Sequence, residues 1–422
     1  MEYKIKDLKK GIKLHVINTD KFKTNLIGIF LTTDLNRENV TKNALISAVL
    51  RRGSKNMPTQ EEISKHMEEM YGASFDCGLD KIGDNQVFKF YIETVNDNFL
   101  PNNDEKLLEQ SIEKLLEIVF NPYLYNDSFC NEYIKQEKNT LKQIIEAKID
   151  NKARYSLDRC IEEMYKDEPY GLYKMGYIED LEKIDSKSLY EYYKELIANC
   201  KIEIFVSGIV DESIEKMLNA NENISQLKDR DAKYIVPKME RKEKIEENVV
   251  TESMSVAQGK LVLGLDLDID NEELKYDVMI YNTILGGSAT SKMFQNVREK
   301  EHLAYVASSS YLSHKNNIFI NCGIEIENYE KALRLVKEQI EDMRKGNFTD
   351  EDIENAKKGI ISGIKAIDDE QDTGVIYYFG QELSQTEVTP DEYIRKIESV
   401  QKENIINIAK GVDINTIYFL KD

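Results

Sequence analysis

The chain has 422 residues, 41% of them apolar and 32% charged, and its 77 acidic and 57 basic side chains give a net charge of −20 at pH 7. This composition predicts a folded globular protein of about two to four domains and excludes a disordered or collagen-like chain. The negative charge argues against nucleic acid and anionic membranes as partners, because both bind dense positive surfaces.

The cysteines and the amino terminus indicate the compartment. Five cysteines, at positions 77, 130, 160, 200 and 322, form no C-x-x-C pair, so the sequence predicts neither a disulfide framework nor a thiolate zinc site. Residues 1–11 are charged throughout, and no apolar run approaches the ~18–20 residues of a membrane span. We therefore expect a cytoplasmic protein.

The first half of the chain alternates between strand and helix patterns. Apolar alternation predicts strands, and apolar residues at helical spacing predict helices. The strands are expected at Leu14–Ile17, Leu26–Thr32, Ser74–Lys81, Gln86–Thr94 and Ile202–Val210, and the helices at Val40–Leu50, Glu61–Tyr71 and Leu107–Val119. Thr59 and Glu62 form a capping box that marks the start of the second helix.

Residues 226–244 are dominated by charge and are predicted to be a linker. After them the same order of elements returns. Strands are expected at Lys260–Asp266, Tyr305–Leu312 and Ile318–Ile326, and helices at Leu274–Leu285, Ser291–Lys300 and Tyr329–Arg344. Gly286 and Gly287 are expected to form a turn between the first two of these helices. A second capping box, Thr389 with Glu392, starts a late helix with Pro390 in its first position.

The two halves can be aligned with each other. Val49–Gly53 matches Thr283–Gly287, and Met70–Ser74 matches Ala304–Ser308, both at an offset of 234 residues. A constant offset across two helices predicts an internal duplication. We therefore predict an α+β fold of two homologous domains, residues 1–225 and 245–422, each a mostly antiparallel sheet with helices packed on one face.

One segment carries a family resemblance. Leu285–Tyr305, LGGSATSKMFQNVREKEHLAY, resembles the second-domain signature of the insulinase/pitrilysin zinc peptidases, which include the mitochondrial processing peptidase. Arg298 and Tyr305, seven residues apart, are similar to the arginine–tyrosine pair of that family. The resemblance covers essentially the whole chain. Four further segments agree with the family in their order: Tyr71–Phe75, Pro169–Gly171, the strand Ile202–Val210 followed by Asp211, and Thr349–Lys357.

The metal motif of that family is missing. Its enzymes place H-x-x-E-H on the first long helix, where two histidines hold zinc and the glutamate acts as general base. The matching positions here are Ala44, Ser47 and Ala48, and Glu137 resembles the third, glutamate ligand. A lone carboxylate cannot hold a catalytic zinc, which usually has three protein ligands. We therefore expect no metal in this chain.

The four histidines do not replace that motif. His66 and Glu69 have the spacing of a zinc motif, but Met70 stands where the second histidine belongs, so a surface helix is the favoured interpretation. His15, His302 and His314 are expected to be ordinary surface or packing residues. An independent enzyme that uses His66 and Glu69 would need another nitrogen ligand.

Arg298 and Tyr305 therefore carry the functional hypothesis. By resemblance, in members built from separate subunits, this pair closes over the zinc site of the other subunit, and Gly286 and Gly287 form a short substrate-binding loop. The alternative is a helix-end arginine in a salt bridge and a core tyrosine. We expect a non-zinc-binding subunit of a heteromeric peptidase, with a homologous zinc-bearing partner and a peptide substrate; the other hypothesis is an inactive peptide-binding or structural relative.

Overall fold

The computed structural model describes residues 2–101, 105–236 and 246–422. Within these ranges no helix combines the length and the hydropathy needed to cross a membrane. The strands are β1 (Glu2–Lys9), β2 (Ile12–Asn18), β3 (Thr24–Asp34), β4 (Ser74–Ile82), β5 (Asn85–Val95), β6 (Leu124–Tyr125), β7 (Ser128–Phe129), β8 (Lys201–Gly208), β9 (Asn248–Ser253), β10 (Gly259–Leu267), β11 (Ala304–Leu312), β12 (Asn317–Ile324) and β13 (Val412–Lys421).

The helices fall between and after these strands. They are α1 (Val40–Leu50), α2 (Gln60–Glu69), α3 (Leu107–Phe120), α4 (Asn131–Glu146), α5 (Lys152–Met164), α6 (Ile178–Leu181), α7 (Ser186–Asn199), α8 (Ser213–Ala220), α9 (Glu222–Gln226), α10 (Lys275–Asn282), α11 (Tyr329–Arg344), α12 (Asp350–Lys365), α13 (Gln371–Ser384), α14 (Pro390–Ser399) and α15 (Lys402–Lys410).

Local sequence signals account for several of these boundaries. Helices α1 and α11 begin and end at the predicted residues. Both predicted capping boxes are confirmed: the Thr59 and Thr389 hydroxyls accept hydrogen bonds from the backbone N–H groups of Glu62 and Glu392. Strand β1 is missing from the predicted strands, because its apolar alternation is limited to Tyr3 and Ile5 and breaks at Asp7. It lies at the edge of a sheet, where charged side chains are tolerated.

The chain divides into two compact units that differ from the predicted domains. Unit 1 contains residues 1–146, 172–235 and 367–386, and unit 2 contains 147–171, 236–366 and 387–422. Each half of the chain therefore gives one helix to the unit formed mainly by the other half. Helix α5 belongs to unit 2, and helix α13 belongs to unit 1. Sequence order alone cannot predict such an exchange, because an apolar helix face does not specify which sheet it covers.

The predicted linker also differs from the structure. Its first part packs on unit 1: the Arg230 guanidinium donates to the backbone carbonyls of Ile197 and Cys200, and the Asn85 amide donates to the carbonyl of Ile235. These bonds satisfy backbone groups around the end of α7, so residues 227–235 are ordered despite their charge. Residues 237–244 of the predicted linker lie outside the described residues.

The two units share one sheet topology. The strand order is β1-β2-β8-β3-β5-β4 in unit 1 and β11-β12-β10-β13-β9 in unit 2. All neighbouring pairs are antiparallel except β2 with β8 and β13 with β9. The parallel pair thus occupies the same place in both sheets when they are counted from β4 and β11. The predicted α+β fold of two homologous domains is confirmed.

In each unit the main core lies on one face of the sheet. In unit 1, Ile29 of β3, Phe90 of β5 and Ile204 of β8 are fully buried with Leu115 of α3 in one apolar cluster. Burying side chains of this size stabilises a protein by about 1.5–3 kcal/mol each. In unit 2, α11 packs on β10, and α10 and α15 pack beside it.

The exchanged helices cover the opposite faces. In unit 1, Phe379 of α13 stacks on Phe30 of β3 with ring centroids 4.2 Å apart. In unit 2, Cys160 and Ile161 of α5 form a buried cluster with residues of β10, β12 and β13, namely Val262, Phe319, Tyr418 and Leu420. Each sheet is therefore covered by helices on both faces, whereas the sequence predicted helices on one face only.

Candidate functional site

Helix α1 carries the positions at which the resemblance places two zinc ligands and a general base. Ala44 and Ser47 are buried, and Ala48 is half-buried. Two methyl groups and one hydroxyl provide no imidazole and no carboxylate, so this helix does not fit a zinc ion. Among the residues that the structure describes, no group of three or more His, Cys, Asp or Glu side chains could hold a metal.

Glu137, predicted to resemble the third ligand, is an ion-pair partner instead. It lies on α4, and its carboxylate Oε1 is 3.4 Å from Nη1 of Arg52. The same guanidinium donates a 2.5 Å hydrogen bond to Gln136 and lies 5.0 Å from the ring centroid of Tyr133. Burial raises the pKa of Glu137, although the charges of Arg52 and Arg51 act in the opposite direction. The carboxylate is thus held by an arginine.

The zinc-like spacing on α2 has only local partners. Nδ1 of His66 is 2.8 Å from the backbone oxygen of Glu62, one turn earlier in the helix. Glu69 is exposed and forms an ion pair of 3.8 Å with Lys65. Met70 is buried. His66 and Glu69 therefore belong to a surface helix, as the favoured interpretation predicts.

Arg298 lies on a π-helix that runs from Met293 to Lys300. Such segments are rare and frequently occur at functional sites. The Arg298 side chain is exposed; its guanidinium lies 4.6 Å from the ring centroid of Phe294, and its Nε is 3.5 Å from Glu299. An exposed ion pair of this kind contributes about 0–1 kcal/mol to stability.

Tyr305 lies at a β-bulge in the edge strand β11. Ala304 is opposite Ile324 of β12 and Val306 is opposite Gly323, which leaves Tyr305 as the extra residue. Bulges redirect side chains and are common next to active sites. The Tyr305 side chain is 70% exposed, and within the described part of the chain it has no hydrogen-bond partner. Tyr305 is therefore not the core residue that the alternative interpretation requires.

The two glycines before Arg298 lie in a helix. Gly286 and Gly287 are the last two residues of a π-helical segment, Thr283–Gly287, that continues α10. The prediction that they form a turn between two helices is therefore wrong. Gly286 is buried, and a Cβ atom there would lie 2.6 Å from the backbone nitrogen of Ser309 in β11. The absence of a side chain at Gly286 thus allows this helical segment to pack closely against β11, the strand that carries Tyr305. The role of both glycines in substrate binding remains a prediction.

Gly286→Ala is expected to destabilise the protein by about 1–3 kcal/mol, because the added methyl group must displace the backbone of β11. Unfolding midpoints in urea would measure this loss. Gly359→Ala on α12 is the matched control, because a Cβ there meets nothing within 4 Å. Alanine also favours a helix, so this control should keep or raise the midpoint. Equal midpoints for both variants would contradict the packing role of Gly286.

A buried polar cluster in unit 1 was not predicted. His15 of β2 and Glu203 of β8 are both fully buried, with Nε2 and Oε2 2.6 Å apart. Tyr3 bonds to the other ring nitrogen of His15, and the Tyr234 hydroxyl donates to Glu203. Lys201 lies 3.4 Å from the same carboxylate. The sequence signal that could have revealed this cluster is Glu203, a charged residue inside the apolar run of β8. His15 was expected to be either a surface or a packing residue, and its burial agrees with the second expectation.

Comparison with known proteins agrees with this arrangement. The family model described as "Peptidase M16 inactive domain" matches residues 183–360. The "Probable inactive metalloprotease YmfF" of Bacillus subtilis (strain 168) is 34% identical over 412 residues, which are 97% of this chain and 96% of that protein. The "Uncharacterized zinc protease YmxG" of the same strain is 24% identical over 319 residues, 72% of this chain and 74% of that protein.

A solved structure is similar over the whole length. The crystal structure of a conserved protein from Enterococcus faecalis V583 has a TM-score of 0.91 and 30% sequence identity, and the match covers 100% of this chain and 99% of that one. The fold, the missing ligands on α1 and the curated relatives agree with each other. The chain therefore belongs to the peptidase M16 family.

Proposed function

We propose that this chain is the non-zinc-binding subunit of a two-subunit M16 peptidase, and that Arg298 and Tyr305 complete the active site of a homologous, zinc-bearing partner. The observation that carries the proposal is the exposure of Tyr305. This large aromatic side chain lies at a bulge and is 70% exposed, so most of its surface makes no contact with the described part of its own unit. It is therefore available to another molecule.

The chemistry of peptide hydrolysis gives the pair a role. Negative charge develops on the carbonyl oxygen as water attacks, and a donor placed against that oxygen stabilises the transition state more than the substrate. The Tyr305 hydroxyl can donate such a hydrogen bond. The Arg298 guanidinium, with several N–H donors, can hold neighbouring backbone carbonyls of the substrate. Zinc in the partner would activate the attacking water.

Two relatives named above support the pairing of unlike subunits. Bacillus subtilis (strain 168) has both a protein named a probable inactive metalloprotease and a protein named a zinc protease, and each is similar to this chain. One organism can thus hold both kinds of M16 protein. A partner for this chain is therefore sought among the zinc-bearing M16 proteins of its own source.

Replacing Tyr305 tests the proposal. The full chain is mixed with the zinc-bearing M16 protein of the same source, and cleavage of a quenched fluorescent peptide is measured. Tyr305→Phe is expected to lower kcat about 100-fold, the typical effect of removing one donor to a developing oxyanion. Tyr125→Phe is the matched control, because Tyr125 is also exposed, at 59%, but lies in unit 1.

Two outcomes would contradict the proposal. The first is zinc-dependent cleavage by this chain alone, and the second is unchanged cleavage by the mixture with Tyr305→Phe. Unchanged cleavage would favour the other candidate, an inactive peptide-binding or structural relative.

A further inference from the structure

Lys260 of β10 is a half-buried cation without an acidic partner. Its Nζ donates a 2.7 Å hydrogen bond to Oε1 of Gln258, a neutral group. Within the described residues Lys260 forms no ion pair. Lysines that lose contact with water are normally paired with a carboxylate, because a charge removed from water without a counter-charge costs free energy. The missing partner is therefore a feature that needs an explanation.

The Lys260 ammonium lies above a glycine of the neighbouring strand. Lys260 and Gly323 of β12 are directly opposite each other in the antiparallel ladder. A Cβ atom at Gly323 would be 2.8 Å from Oε1 of Gln258 and 3.5 Å from Nζ of Lys260. Both polar groups thus occupy the space that a side chain at position 323 would fill. The Lys260 side chain therefore extends from β10 over β12, in the direction of β11.

The same face of the sheet leads to Tyr305. On the other side of β12, Gly323 is opposite Val306 of β11, and the bulged residue Tyr305 directly precedes Val306. Side chains that are opposite each other in a ladder lie on the same face of the sheet, and strands two places apart are about 10 Å from each other. Because the Lys260 side chain spans part of this distance, its ammonium lies close to the bulge.

The acid on this face next in register is already occupied. Glu252 of β9 is opposite Leu420, which is itself opposite Lys260. The Glu252 carboxylate accepts a 2.6 Å hydrogen bond from Tyr155 and is 3.2 Å from Nε of Arg159. Burial lowers the pKa of the Lys260 ammonium, because a charged amine is poorly solvated in this place. A ligand that brings a negative charge would supply what the chain itself does not.

We propose that Lys260 and Gln258 form a subsite that binds a carboxylate of the peptide substrate. The proposal rests on the proposed function, because the Arg298/Tyr305 pair determines which part of a peptide reaches this subsite. The ammonium can donate charge-assisted hydrogen bonds to a carboxylate, and the Gln258 amide nitrogen has two further N–H donors. The substrate is thus a peptide with a carboxylate close to the cleaved bond, from an acidic side chain or from its own carboxyl terminus.

Protection of Lys260 from acetylation tests binding to the full chain alone. The chain is labelled with limiting acetic anhydride, and the labelling of each lysine is measured by mass spectrometry of the digested protein. A pentapeptide of alanines with one central glutamate, blocked at both ends, should slow the labelling of Lys260 about six- to elevenfold at about 10 mM, if its dissociation constant is about 1–2 mM. The same peptide with glutamine in place of glutamate should not slow it.

Two controls complete this measurement. Lys337 of α11, on the other face of the same sheet, forms an ion pair of 2.7 Å with Glu247, and its labelling should not respond to any of the peptides. An all-alanine peptide with a free carboxyl terminus separates the two sources of the carboxylate: protection by this peptide alone assigns the subsite to a chain end, and protection by the blocked glutamate peptide assigns it to an acidic side chain.

The specificity of cleavage gives a second test. In the mixture with the zinc-bearing M16 protein of the same source, kcat/KM for peptides with glutamate near the cleaved bond should exceed that for the glutamine peptides about tenfold, the typical effect of one hydrogen bond to a charged group. Lys260→Met should reduce this ratio to about one, whereas Lys260→Arg should keep it. Lys337→Met is the matched control, and circular dichroism checks the fold of each variant.

The outcomes of the two tests separate this proposal from the proposed function. Equal labelling of Lys260 with the glutamate, glutamine and free-terminus peptides would overturn the subsite, and so would a preference for glutamate that survives Lys260→Met. Loss of cleavage with Tyr305→Phe, together with unprotected Lys260, would remove only the subsite. Protection of Lys260 by a carboxylate, together with no effect of Tyr305→Phe on cleavage, would remove only the proposed function.

Discussion

A fragment of residues 1–235 is expected not to fold, although it contains every strand of the six-stranded sheet. The fragment lacks α13, whose Phe379 stacks on Phe30 and whose Gln371 amide donates to the backbone carbonyls of Thr24 and Ser207. Without that helix one face of the sheet would expose a fully buried aromatic residue, Phe205. Each exposed phenylalanine costs about 1.5–3 kcal/mol, a large part of the stability of a domain.

Circular dichroism and hydrogen exchange would measure the result. The fragment should show rapid exchange throughout the sheet, and the same fragment with residues 367–386 joined through a glycine-serine linker should recover slow exchange. In the full chain Phe379→Ala should cost about 3–5 kcal/mol. Ile376→Ala on the same helix, where the side chain is 47% exposed, is the matched control. A well-folded fragment without α13 would show that the exchanged helix is not required.

The second large effect is expected at Glu203. Glu203→Ala should destabilise the protein by about 3–5 kcal/mol, because it leaves Lys201, His15 and Tyr234 without their buried acceptor. Glu191→Ala is the control, because the ion pair of Glu191 with Lys194 is exposed on helix α7. Its loss should lower the free energy of unfolding by less than about 1 kcal/mol. Urea unfolding at pH 7 measures both variants.

The same variant should lose its effect in acid. Burial alone would raise the pKa of Glu203, but the hydrogen bond and charge of His15, with Lys201 and Tyr234, bring it below its ordinary value. A lowered folded pKa means that the stability from ionised Glu203 is complete above the unfolded pKa, about 4.3, and is lost as the pH falls through the folded value. The difference between the unchanged chain and Glu203→Ala should therefore shrink below about pH 4. A constant difference from pH 7 to pH 3 would contradict this assignment.

Much of the fold could be predicted from the sequence because its signals are local. Helix α1, strand β8 and the capping boxes at Thr59 and Thr389 depend on residues within a few positions of each other. The duplication was visible as a constant offset. The exchange of α5 and α13 was not, because it depends on contacts between residues far apart in the chain. For the same reason the sequence could not show that His15 and Glu203, which are far apart in the chain, are in contact.

The sequence could name candidate site residues but not their geometry. The spacing of Arg298 and Tyr305 located the pair, whereas the exposure of Tyr305 results from a bulge that depends on the pairing of β11 with β12. The contact of Gly286 with Ser309 likewise joins two elements that are separated in sequence. The π-helix around Arg298 is not marked by any residue pattern that separates it from an α-helix.

The exchange of α5 and α13 also determines how the chain loses its structure. When unit 1 unfolds, residues 147–171 of unit 2 are left between two disordered chain segments, and when unit 2 unfolds, the same holds for residues 367–386 of unit 1. Heating should therefore give a single calorimetric transition whose van't Hoff and calorimetric enthalpies agree, although chains of this length commonly melt domain by domain. A destabilising substitution in one sheet would then lower the melting temperature of the entire molecule.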